Sequence, residues 1–136
     1  MVYGTDVFCA IAQRPALARV DDAALIAVMG NVHRFGDRRM PAPGILGVAA
    51  AAALAAAAGR AAASAAAAAA FLLLAGWMVL YLRISAPINR ALTAAADAHQ
   101  TPPNARALQR DWDRIIVPRA VLQGLAVVAL CVSLIG

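Results

Sequence analysis

The chain has 136 residues, 63% of them hydrophobic and 14% charged, with a formal net charge of +5. This length is too short for two ordinary domains and sufficient for a four-helix unit in a membrane. The positive charge does not indicate nucleic acid, because the basic residues, all Arg, flank apolar stretches and lack interleaved aromatics.

Met1 to Ile11 is apolar apart from Asp6, and Arg14-Pro15 ends it. The stretch is too short to span a bilayer, and it has neither the basic n-region nor the cleavage site of a signal peptide. The simplest account is the cytoplasmic-side end of a first membrane helix that begins upstream of Met1; an interfacial helix is the alternative. Asp6 lies inside this apolar segment, so it needs a partner or a wet cavity. Cys9 and Cys131 also lie in apolar segments and read as small buried hydrophobes, not a disulfide framework or zinc site.

Asp21 and Asp22 offer a helix N-cap. Leu25, Val28, Met29, Val32 and Phe35 follow at the spacing of one apolar stripe, with Gly36 as the predicted end. Asn31 and His33 fall on the flank that such a helix ordinarily turns to solvent. From Gly44 to Leu82 the only charge is Arg60. A single helix of that length would reach roughly 58 Å, against a hydrocarbon core of about 30 Å. The break belongs at Gly59-Arg60, giving a hairpin of Gly44–Ala58 and Ala61–Leu82. The first arm is nearly all Ala, with Gly47 and Ala51 at small-xxx-small spacing, and is expected in the bundle interior making the closest helix contact. Trp77 and Tyr81 sit where an aromatic belt belongs. The polar stretch after Arg83 holds two predicted helices, one opened by Ser85-Pro87 and one by Thr101-Pro102. Leu108, Trp112, Ile115 and Ile116 share a face of the second. Pro118 either kinks it or starts the last span, Arg119–Ile135, where Arg119 by itself would snorkel to the headgroups.

These elements predict an all-α fold: an integral membrane four-helix bundle with short amphipathic helices in two cytoplasmic loops. The chain is one membrane domain with spans near 1–13 (truncated), 44–58, 61–82 and 119–135, and loops 14–43 and 83–118. Arg14–Arg39 and Arg83–Arg119 contain every Arg except Arg60. The positive-inside rule therefore places both loops in the cytoplasm, and the Ala and Arg bias suggests a bacterial inner membrane.

Three features carry a resemblance: Pro15 after the first apolar segment, Pro87-Ile88-Asn89 after the third, and Trp112 followed by Arg119 at the fourth. With this order of spans and loops the chain resembles the anthrone-oxygenase-like family of small membrane proteins, much of it a domain of unknown function. Ile116 departs from the pattern by occupying the position of an expected His. The resemblance implies oxidation of a flat, anthrone-type aromatic by molecular oxygen, with no metal or other cofactor. Such chemistry needs a base, a polar clamp for the enolate and an apolar pocket. The candidates are His33 as base, with Asn89 and Arg119, and Asp6, Asn31 and Trp112 around the substrate. Two other classes fit the composition: a structural or assembly partner in a larger membrane complex or homo-oligomer, and a transporter component using Asp6.

Overall fold

The computed structural model describes residues 1–135, and among them every regular element is helical. Helix α1 (Val2–Phe8) passes through a π-helical turn, Cys9–Gln13, into α2 (Arg14–Leu17). The first segment therefore continues beyond the predicted stop at Arg14-Pro15. Helix α3 spans Asp22–Arg39, and the Asp21 carboxylate caps it by accepting from the Ala24 amide at 2.7 Å. It runs through Gly36, which does not end it. After Met40 come α4 (Pro41–Ala57) and α5 (Ala61–Leu80), then a second π-helical turn, Tyr81–Ser85. Helix α6 (Ala86–Asp97) follows without interruption, and α7 covers Ala105–Ile135. Ser85-Pro87 therefore continues a helix instead of opening one, and α7 runs through Pro118 as a single element.

Both π turns precede a proline, Pro15 and Pro87. Proline has no amide hydrogen and its ring presses on the carbonyl four residues back. That carbonyl belongs to Ile11 in one case and Arg83 in the other, each inside its π turn. Widening the helix there accommodates the ring without breaking the rod.

The hairpin turn falls at Ala58–Arg60, where the sequence places it, and the Ser64 hydroxyl ties the arms by donating to the Ala55 carbonyl at 2.6 Å. Ala51 is fully buried with Ala70 and Ala126, joining α4, α5 and α7. Gly47 faces open space, and the close approach on α4 is Gly44, where an added Cβ would lie 3.0 Å from the Trp77 ring. The tightest approach is elsewhere: a Cβ on Gly30 of α3 would lie 2.7 Å from the Leu92 carbonyl oxygen of α6. This contact also sets the rotation of α3. Its buried face is Leu25, Ile26, Met29, Gly30 and His33, while Val28, Val32 and Phe35 of the predicted stripe are 46%, 45% and 48% exposed. Beyond these pairs, α5 packs extensively along α7, and Arg106 of α7 reaches Asp22 and the Leu17 carbonyl.

Two helices are long and apolar enough to cross a membrane, Ala61–Asp97 and Ala105–Ile135. Helices α3 and α4 meet that test together as a pair bent by 44°.

Candidate active site

Where α1, α3, α4, α5, α6 and α7 converge they line a cavity of about 680 Å³, within the usual range for small-molecule sites. Asp6, His33, Asn89, Trp112 and Arg119 all line it; of the residues singled out from sequence, Asn31 does not. The Asn31 side chain is exposed and donates to the Ala27 carbonyl of its own helix at 2.8 Å.

One wall is built around Asp6. Arg119 donates to its carboxylate at 2.9 Å, Gln123 at 2.5 Å and the Trp77 indole at 3.3 Å. The other arm of Arg119 donates to the Ser85 hydroxyl at 2.8 Å. Arg119 and Gln123 are one turn apart on α7, so the pair grips Asp6 from one face. The guanidinium also lies 6.0 Å from the Trp77 ring centre and 5.6 Å from that of Tyr81, a planar cation against two aromatic faces. Its Nε is buried with no hydrogen-bond partner. Arg119 is therefore held inside the protein instead of snorkelling.

A second polar cluster is built around Asp37 and adjoins the first through Tyr81. Its Oδ1 accepts from the Tyr81 hydroxyl and the Asn89 amide, each at 2.9 Å. The Asn89 carbonyl oxygen in turn accepts from the Trp112 indole at 3.1 Å. The Trp112 ring packs against His33, with centres 5.6 Å apart. His33 is 6% exposed, not on a solvated flank, and its Nε2 is buried with no partner. Burial pulls its pKa down to about 4; the Asp37 carboxylate opposes this and the Arg119 cation adds to it. At neutral pH the imidazole is uncharged and holds a free lone pair.

The family model of anthrone oxygenase matches residues 29–129. The chain belongs to the anthrone oxygenase family. No curated protein and no solved structure matches it. For this anthrone oxygenase family member the matched region contains His33, Asn89, Trp112 and Arg119, while Asp6, the partner of Arg119, lies ahead of it.

Sequence reasoning missed Asp37, Trp77, Tyr81, Ser85 and Gln123. Trp77 and Tyr81 sit at the end of an apolar run and look like belt residues. Asp37 hides among Gly36, Arg38 and Arg39, a loop-like string. One signal was available: Gln123 is a polar residue in an apolar segment one turn after Arg119, so both share a face.

Proposed function

We propose that this protein is a cofactor-independent oxygenase that converts an anthrone-type flat aromatic to its quinone, with His33 as general base. The observation that carries this reading is the partnerless Nε2 of a buried, neutral His33 on an apolar cavity that also holds Arg119. His33 removes a proton from the methylene carbon, leaving an electron-rich enolate. The enolate oxygen is stabilised by Arg119, whose free Nε is a spare donor, and by the second N–H of the Asn89 amide, the first being donated to Asp37. The low basicity of His33 is met from the substrate side, since a cation beside the enolate makes the carbon acid stronger. Asp37 favours the imidazolium once it forms.

The enolate passes one electron to O₂, and the resulting radical pair joins to form a carbon–oxygen bond. The imidazolium returns its proton to the peroxide. His33 then takes the second proton from the same carbon while the O–O bond breaks, and the departing hydroxide leaves as water. One anthrone and one O₂ give one quinone and one water, and His33 ends neutral. The bilayer setting belongs to the same proposal: α1 and α4, though short, complete a four-helix bundle of one membrane domain with loops 14–43 and 83–118 in the cytoplasm. Asp6 and Trp112 act in it as positioning residues, Asp6 for Arg119 and Trp112 for Asn89 and His33.

Purified protein in lipid vesicles, given an anthrone, is expected to consume oxygen and form quinone in equal amounts. General-base catalysis contributes about 10²–10⁴-fold, so His33→Ala should lower turnover by that order while the protein still folds. Full activity in that variant would remove His33 from the mechanism. Inactivity of the unaltered protein would favour a role as an assembly partner.

A further inference from the structure

A second, shallower groove of about 340 Å³ runs along the surface of α4 and α5, lined by Val48, Ala49, Ala52, Phe71 and Ala75 together with Ile45 and Met78. Ile45 and Met78 also line the main cavity, so the groove leads into it. The apolar lining here faces outward: Ile45 of the junction is 58% exposed, and Leu82 of the main cavity is 57% exposed. Both belong to the elements whose apolar surfaces are suited to hydrocarbon. The other approach differs. A cleft of about 310 Å³ shares His33, Asp37 and Arg90 with the cavity and is flanked by Arg34, Arg38 and Asp97, with Arg34 and Asp97 paired.

We propose that the α4–α5 groove is the entrance to the cavity, through which a flat apolar aromatic slides sideways out of the bilayer past Ile45 and Met78. The identity of the ligand rests on the oxygenase reading above. A neutral fused-ring ketone concentrates in hydrocarbon, so the membrane is its reservoir. A long apolar groove on an exposed helix face is the kind of surface that marks a ligand or membrane site. Its floor of Ala49, Ala52 and Ala75 leaves a slot for a planar ring, whereas larger side chains would fill it. A ligand entering this way meets only apolar atoms until it reaches the polar groups at the inner end. One entering through the cleft would first have to pass paired charges. The enolate-stabilising groups are thus reached last, after water has been left behind.

The test uses the full chain in phospholipid vesicles and two exposed alanines, Ala52 in the groove and Ala94 in the polar cleft. With an anthrone as substrate, Ala52→Phe should raise KM several-fold and leave kcat unchanged, while Ala94→Phe changes neither. Ala49→Phe is a second groove variant should Ala52→Phe not assemble. An anthraquinone serves as a probe that requires no turnover, since its arrival beside Trp77 quenches indole fluorescence. Groove variants should slow that quenching and Ala94→Phe should not. If the protein binds the anthraquinone with this pattern yet oxidises no anthrone, the oxygenase reading fails and the entrance stands. If it oxidises anthrone but the groove variants match the unaltered protein, or the cleft variant alone slows, the entrance is overturned. Absence of anthraquinone binding overturns it as well.

Discussion

Helices α5 and α7 pack against each other at both ends, but the two ends are held together differently. At the hairpin end, Ala70 of α5 and Ala126 of α7 meet Ala51 of α4 in a dry contact of small side chains. At the other end, Trp77 and Ser85 on one rod and Arg119 and Gln123 on the other converge on Asp6 through hydrogen bonds. The first contact is wholly apolar, with Phe71, Leu73, Leu74 and Leu130 packed around the three alanines. The second holds a charge pair away from water, which is costly unless every partner is in place. One helix pair thus carries a scaffold at one end and a chemical site at the other.

Cutting into the polar end should have the largest effect. Asp6→Ala leaves the Arg119 cation buried without its counter-charge and is expected to destabilise the fold by about 3–5 kcal/mol. The Asp6→Ala/Arg119→Met double variant should recover part of that loss in thermal unfolding measured in micelles. A double variant no better than the single one would mean that Asp6 contributes through Trp77 and Gln123 instead.

Acid separates the two ends next. His33 has an ordinary pKa of 6.5 and is held near 4 in the fold, so the unfolded chain binds a proton that the folded chain refuses. Its contribution is fully present above pH 6.5 and is lost as pH falls from 6.5 to 4, with no further loss below that. A shift of this size corresponds to roughly 3 kcal/mol at most. The difference in unfolding free energy between the unaltered protein and His33→Asn, followed across this window, should show that slope. A constant difference would contradict a neutral buried His33.

The hairpin end should respond least. Ala51→Leu adds bulk to a fully buried contact and should cost about 1–3 kcal/mol, leaving the pH slope untouched. An unchanged midpoint would mean that the Ala51 contact yields without strain.

This division also explains what could be read in the sequence. The hairpin was legible because its signal is local: a long apolar run interrupted once, at Gly59-Arg60. The N-cap at Asp21 was local too. Helix α3 was rotated in the reading because Leu25 and Met29 belong to two overlapping apolar stripes. The deciding residue is Gly30, whose lack of a side chain admits α6, and a hydrophobic pattern ignores such a residue. At the site, Asp6 required a partner by its chemistry, but Trp77 is 71 positions away and Arg119 is 113. No spacing rule connects residues that distant. The family resemblance brought Asn89, Trp112 and Arg119 forward, and the family match contains all three. Asp37, which links Asn89 to Tyr81, had no counterpart in either kind of signal.

The π turn between α5 and α6 also has a geometric consequence. Trp77 and Asn89 both face the cavity, yet they are 12 positions apart on one continuous rod. At about 100° per residue, 12 steps of a regular helix would leave them roughly 120° out of phase. The widened turn absorbs one residue, so the effective count is 11 and the mismatch falls to roughly 20°. Pro87 therefore acts as a phase corrector. By forcing one surplus residue into the turn at Tyr81–Ser85, it aligns the apolar and polar halves of a single helix on the same chamber.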